Sequence, residues 1–167
     1  MGASILVIKA LDSPEWNADV YGALSSLSRL AAAMQSKANV IKLAFILRRM
    51  NRNISSLFET VKAAEEGRLK PDANAEVPTP QRLMDSSDKL MKMSRYIEYL
   101  YELLRRVGLT NNSLTAGNLK SIKCYSERIV DLADWFEAMA QSKEIEAIYE
   151  RATGERERGE IFDLERI

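Results

Sequence analysis

The sequence predicts an all-α protein, an up-and-down helical bundle of about four long amphipathic helices with a charged C-terminal tail. Three observations support this fold class. Apolar residues recur at spacings of three and four in four separate stretches, which is the period of an α-helix. No convincing series of alternating apolar and polar residues indicates a β-sheet. Of the 167 residues, 46% are apolar and 29% are charged, a composition typical of a globular domain.

The first helix is predicted to begin at Ser13, because serine is a good N-cap and Pro14 suits the first helical position. Its apolar face comprises Val20, Leu24, Leu27, Ala31 and Met34. A break is expected near residues 35–39, since the next apolar stripe is out of phase with this one. One continuous helix over residues 14–66 remains the alternative, because neither glycine nor proline interrupts residues 23–66.

The second helix is predicted from a regular apolar stripe and ends at Gly67, which suits a C-terminal cap. The stripe comprises Val40, Leu43, Leu47, Met50, Ile54, Leu57 and Val61. Residues 67–79 contain two prolines and few apolar side chains, and we expect them to form a mobile loop.

The third helix is predicted to start at the cap Thr79 and to end at Gly108, and the fourth to start near Asn112 or Ser113 and continue to Gly154. The third stripe comprises Leu83, Leu90, Met93, Ile97, Leu100, Leu104 and Val107. The fourth stripe comprises Leu119, Ile122, Tyr125, Ile129, Leu132, Phe136 and Met139. The chain therefore divides into a bundle over residues 1–154 and a charged tail over residues 155–167.

The composition excludes several chemistries. The chain has no histidine, so a histidine-ligated metal or haem and a histidine-activated nucleophile are excluded. We therefore predict no cofactor. The single cysteine, Cys124, cannot form an intrachain disulfide and suits a reducing compartment. Residues 1–11 have no basic residue before their apolar run and are too short to span a bilayer, so we expect neither a signal peptide nor an anchor, and a cytoplasmic protein.

Charge is unevenly distributed along a chain of zero formal net charge. Residues 1–62 hold eight basic and four acidic residues (+4), whereas residues 127–167 hold twelve acidic and six basic residues (−6). The second helix carries candidate phosphate contacts at Lys42, Arg48, Arg49 and Arg52. The alternative for this basic strip is a solvated face, or a partner for the acidic fourth helix in the same bundle.

A row of carboxylates on the fourth helix is the one candidate metal site, and it is a weak one. Glu127, Asp131 and Asp134 fall at i, i+4 and i+7 on one side of the helix, and carboxylate oxygens suit magnesium. These positions lie opposite the apolar stripe, so a solvated helix face is the preferred interpretation and we predict no metal.

Two segments are candidate protein interfaces. Residues 40–47 are apolar nearly all round the helix, which indicates either a central element or a face that meets another subunit through Ile41, Phe45 and Ile46. The tail carries an apolar set that indicates a docking helix, with a frayed terminus as the alternative. The set comprises Ile161, Phe162, Leu164 and Ile167.

The predicted function is a non-enzymatic helical interaction or assembly subunit that associates with itself or another protein. One alternative is an accessory subunit of a nucleic-acid-bound complex that uses Arg48, Arg49 and Arg52. A weaker alternative is a magnesium-dependent helical phosphohydrolase built on the acidic row.

Overall fold

The computed structural model describes residues 2–30 and 37–159. The fold is all-helical, with 83% of residues in helices and no strand in the described part of the chain. The elements are α1 (Gly2–Asp12), α2 (Pro14–Trp16), a π-helical segment (Asn17–Gly22), α3 (Ala23–Leu30), α4 (Lys37–Glu65), α5 (Pro80–Arg106) and α6 (Ala116–Gly159). The all-α class is confirmed. α2, the π-helical segment and α3 follow one another without interruption over residues 14–30 and form one helical unit. With α1, α4, α5 and α6, five helical units pack together in the described part of the chain, and the expected count of about four is not reproduced.

Helix α1 is the element that the sequence analysis missed. It buries Val7, Ile8 and Leu11 in the same core as the long helices, and it packs against α4 and α5. Near its C-terminus the Leu11 carbonyl is satisfied by side chains, since it accepts hydrogen bonds from Lys89 Nζ at 2.9 Å and from Asn17 Nδ2 at 2.6 Å. Eleven residues that are apolar on several sides show no clear helical stripe, so periodicity gave no signal there.

The predicted helix starts at Ser13 and Thr79 are confirmed. The Ser13 hydroxyl accepts a hydrogen bond from the Trp16 N–H at 3.4 Å, and the Thr79 hydroxyl accepts one from the Arg82 N–H at 3.2 Å. In both cases a proline follows the cap. Each cap satisfies an N–H group that has no carbonyl partner in the first turn of its helix.

The predicted glycine caps are also confirmed. Gly108 has a φ of +77°, and the Leu109 N–H donates to the Leu104 carbonyl at 2.8 Å, which closes α5. Gly67 has a φ of +75° and closes α4 in the same way. The non-helical segment that follows runs to Thr79, as expected.

Both predicted ends of the fourth helix are wrong. α6 starts at Ala116 because residues 112–115 form a turn, in which the Thr115 hydroxyl donates to the Leu109 carbonyl at 2.6 Å. α6 also continues through Gly154 to Gly159. A single glycine weakens a helix interior by only about 1 kcal/mol, so it need not end the helix. The predicted bundle boundary at residue 154 therefore falls inside α6.

Residues 14–30 and α4 are two antiparallel helices, so one continuous helix over residues 14–66 is wrong. Asp19 lies beside Arg49, with 3.8 Å between carboxylate and guanidinium, and beside Asn53 at 3.4 Å. Further along the π-helical segment and α3, Ala23 lines the same recess as Ile46. Later residues of the first helix thus meet earlier residues of α4, which requires the chain to reverse between them.

α5 and α6 form the most extensive helix pair, and small side chains let them approach closely. The Ser87 hydroxyl donates to the Ala133 carbonyl at 2.7 Å, and the Ser94 hydroxyl donates to the Ser126 carbonyl at 3.1 Å. Because higher numbers on α5 meet lower numbers on α6, the two helices are antiparallel. We call these four residues the serine seam.

α4 runs parallel to α6 and is joined to it by polar and aromatic contacts. Asn51 bonds Asn118 at 3.0 Å, and Ser55 shares a 2.7 Å hydrogen bond with the Tyr125 hydroxyl. Phe58 stacks on Tyr125 with 5.2 Å between ring centroids.

The core consists of the predicted stripes of α4, α5 and α6, together with α1 and with Trp16, Val20, Leu24 and Leu27 of the first predicted helix. Every residue of the three stripes of α4, α5 and α6 is buried or half-buried. Ala31 and Met34 of the first stripe, and most of the break expected near residues 35–39, fall at or beside residues 31–36, which lie outside the described residues. No helix in the described residues is long and apolar enough to cross a membrane.

Candidate interaction surfaces

Beyond Ala140 the last part of α6 projects from the bundle. Residues 141–152 are exposed apart from Lys143, which is half-buried and donates to the Pro78 carbonyl at 2.8 Å. We call residues 141–159 the α6 extension. Three large apolar side chains on it face solvent: Ile145 is 66% exposed, Ile148 60% and Tyr149 71%.

These three side chains form one amphipathic face. They fall at i, i+3 and i+4, so they lie together on one side of the helix. Exposed acidic residues flank them at Glu144, Glu146 and Glu150. The sequence carries a signal of this change. The core stripe ends at Met139 and Ala140, and the next large apolar residue, Ile145, is out of phase with it.

The apolar run of α4 is divided between core and surface. Val40, Leu43 and Leu47 are buried, as a central element requires. Ile46, one of the predicted interface residues, is half-buried: it packs against the core of its own chain and lines the recess that it shares with Ala23. The predicted interface residue Phe45 is 62% exposed.

Phe45 borders a shallow recess that also includes a residue the sequence did not indicate. The recess has a volume of about 440 Å³. It is lined by Ile41, Ala44, Phe45, Arg48, Leu114 and Asn118, and we call it the Phe45 recess. Ile41 is 41% exposed and Leu114 is 52% exposed. Leu114 belongs to the turn before α6, and only the parallel packing of α4 and α6 brings it there.

The predicted phosphate contacts Lys42, Arg48, Arg49 and Arg52 are all exposed on α4. Arg49 is paired with Asp19, whereas the other three form no ion pair with a described side chain. The sequence also offered an ion-paired contact between the basic helix α4 and the acidic helix α6. Within residues 37–65 and 116–154, no ion pair joins these two helices. The basic strip therefore stays uncompensated by the fourth helix of its own chain in this part of the structure.

The acidic row does not form a pocket. Glu127, Asp131 and Asp134 are each exposed on α6. Among the described residues no group of three or more histidine, cysteine, aspartate or glutamate side chains has a geometry that could hold a metal ion.

Glu98 and Glu102 on α5 form a second pair of carboxylates one helical turn apart, and both are engaged in ion pairs. Glu102 bonds Arg105 at 2.7 Å, which supports the helix locally. Glu98 accepts hydrogen bonds from Lys123 and from the Ser126 hydroxyl on α6, and these bonds lower the pKa of its carboxyl group.

One further polar cluster lies at the π-helical segment. Lys89 donates to the Leu11 carbonyl and to the Asn17 side chain, and its ammonium lies 5.5 Å from the centre of the Tyr21 ring. Burial lowers the pKa of Lys89, and burial together with Tyr96 raises the pKa of Tyr21. Since its ammonium is already bonded to the end of α1, Lys89 serves to hold that helix on α5.

The apolar set of the tail, Ile161, Phe162, Leu164 and Ile167, lies outside the described residues. Cys124 is exposed on α6.

No known protein-family model, curated protein or solved structure matches this chain significantly.

Proposed function

We propose that the protein is a non-enzymatic helical assembly subunit that associates with itself. The bundle acts as a scaffold, whose alternating helix directions we take to form an up-and-down arrangement, and it presents the α6 extension to a partner. We further propose a reducing, cytoplasmic-type compartment, in which the exposed thiol of Cys124 would stay free.

The observation that carries this proposal is the exposed apolar face of the α6 extension. Most helical stability in proteins comes from packing an amphipathic face, and Ile145, Ile148 and Tyr149 have little to pack against in their own bundle. Contiguous exposed apolar residues with a charged rim are typical of protein interaction sites. The acidic residues beside them would keep the free subunit in solution.

The two alternatives have weaker support. A nucleic-acid contact would use the basic strip, but Arg49 is already paired with Asp19. Within residues 2–30 and 37–154, no array of exposed aromatic side chains accompanies this strip to stack bases. A magnesium-dependent hydrolase would need carboxylates from two helices, yet the row at Glu127, Asp131 and Asp134 lies along one exposed face.

Sedimentation velocity over a wide concentration range tests the proposal. The expected result is a dimer or larger assembly that dissociates on dilution, and that Ile148→Glu converts to a monomer by placing a charge in the contact. Circular dichroism should show an unchanged fold, because Ile148 is exposed. A wild type that stays monomeric at every concentration would refute self-association. Co-purified nucleic acid that is lost when Arg48 and Arg52 become glutamine would favour the nucleic-acid alternative instead.

A further inference from the structure

The Phe45 recess has the chemistry of a docking site for an acidic amphipathic helix. Three exposed apolar side chains surround it, namely Ile41, Phe45 and Leu114. Its charged lining residue is basic, at Arg48, and Arg52 follows one helical turn further on the same side of α4. An occupant should therefore carry apolar side chains at its centre and carboxylates at its margins.

The α6 extension has the complementary pattern. Ile145, Ile148 and Tyr149 provide a compact apolar group, and Glu146 and Glu150 lie on one flank of it, with Glu144 on the other. An amphipathic helix that lays such a face into an apolar groove is a common recognition mode. One chain thus carries a basic-rimmed apolar recess and an acidic-rimmed apolar helix.

These two surfaces of the same molecule cannot meet. Asn118, which lines the recess, and Ile148 belong to one continuous helix. At a rise of about 1.5 Å per residue they are separated by about 45 Å along its axis. The occupant of the recess must therefore come from another molecule, and a second copy of this chain provides a segment of the required chemistry.

We propose that the α6 extension of one copy binds the Phe45 recess of a second copy. Ile148 and Tyr149 pack against Phe45 and Leu114, and Glu146 and Glu150 lie beside Arg48 and Arg52. In each such contact two different surfaces meet, the extension of one copy and the recess of the other. Two copies related by a two-fold axis can make this contact twice and so close a dimer. This inference rests on the proposed self-association and names the surfaces that perform it.

Mixing two variants, each defective in one of the two surfaces, tests the contact between extension and recess. Phe45→Glu removes a functional recess and leaves the extension intact, whereas Ile148→Glu does the reverse. Each variant alone should self-associate at least about tenfold more weakly than the wild type, because each replaces an apolar side chain of the contact by a carboxylate that loses its hydration there. Both positions are exposed, so both variants should keep the wild-type melting temperature.

The equimolar mixture should form a dimer with one intact contact. We would label the Ile148→Glu copy at Cys124, the only cysteine, and follow its fluorescence anisotropy as the Phe45→Glu copy is added. Tyr99→Glu is the matched control, since Tyr99 is similarly exposed on α5 but outside both surfaces. This control should associate like the wild type.

The outcomes separate this inference from the proposed function. If the wild type associates, Ile148→Glu abolishes association and Phe45→Glu does not, the extension binds another surface and the recess assignment is wrong. A mixture that stays monomeric would also overturn the assignment. A wild type that never associates removes both proposals.

Charge reversal gives a second and independent measurement. Replacing Arg48 and Arg52 by glutamate in one copy should weaken its binding to an extension that carries Glu146 and Glu150. Replacing those two glutamates by lysine in the other copy should restore binding to the reversed recess. Restoration should fade at high salt, because these rim charges are exposed and screened. No restoration at low salt would contradict the proposed placement of the rims.

Discussion

Removing the α6 extension should leave the bundle almost as stable as the full chain. The variant to test ends after Lys143, so that it retains the hydrogen bond from Lys143 to the Pro78 carbonyl. This variant lacks Ile145, Ile148 and Tyr149. In the untruncated chain about a third of the surface of each of these side chains is covered. Full burial of such a side chain contributes about 1.5–3 kcal/mol, so a third is about 0.5–1 kcal/mol each.

Much of that partial burial is against neighbouring turns of the extension itself, which the truncation removes as well. We therefore expect the bundle to lose at most about 1 kcal/mol, or about 2–4 °C in melting temperature for a chain of this size. For comparison, Phe136→Ala in the same helix should cost about 3–5 kcal/mol, because Phe136 is fully buried.

Urea unfolding followed by circular dichroism measures this difference. The full chain should be more stable at high protein concentration than at low concentration, because association stabilises the folded state by mass action. The truncated chain should show no such dependence. A loss above about 3 kcal/mol at a concentration where the full chain is monomeric would refute the reasoning, since it would mean that residues after Lys143 pack against their own bundle.

Two further predictions concern α5 and its contacts with α6. At the serine seam, Ser94→Ala should change the free energy of unfolding by no more than about 1 kcal/mol. Ser94→Leu should cost about 1–3 kcal/mol, because it overpacks a close helix contact. Equal stabilities of the two variants in urea unfolding would show that side-chain size does not set this contact. At Glu98, the lowered pKa means that the ion pair with Lys123 stabilises the fold above the ordinary carboxyl pKa of 4.5 and loses this effect as the pH falls through the lowered value. The stability difference between wild type and Glu98→Gln should therefore be small at neutral pH, because Glu98 is half exposed, and should vanish in acid; a difference that grows with acidification would contradict the assignment.

The sequence by itself determined the phase and the caps of the long helices. The stripes of α4, α5 and α6, the caps at Ser13 and Thr79 and the glycine stops at Gly67 and Gly108 all depend on contacts within a few residues. A hydroxyl that accepts an N–H three residues later, or a glycine at positive φ, acts locally and can be identified without knowing the partner helix. The exclusion of histidine chemistry is likewise a property of composition alone.

Only the tertiary structure decided which apolar residues remain exposed to solvent. Ile46 and Phe45 are adjacent in one apolar run, yet Ile46 is half-buried beside the antiparallel helix before it, whereas Phe45 is 62% exposed. Leu114 lies beside Phe45 because α4 and α6 are parallel. Ile145 is exposed because α6 extends beyond the helices that pack against it. The serine seam was also missed, since serines seven residues apart indicate a close helix contact only once the facing helix is known. Each of these features depends on which element lies opposite a residue, and that depends on long-range packing that a periodic pattern along one helix does not encode.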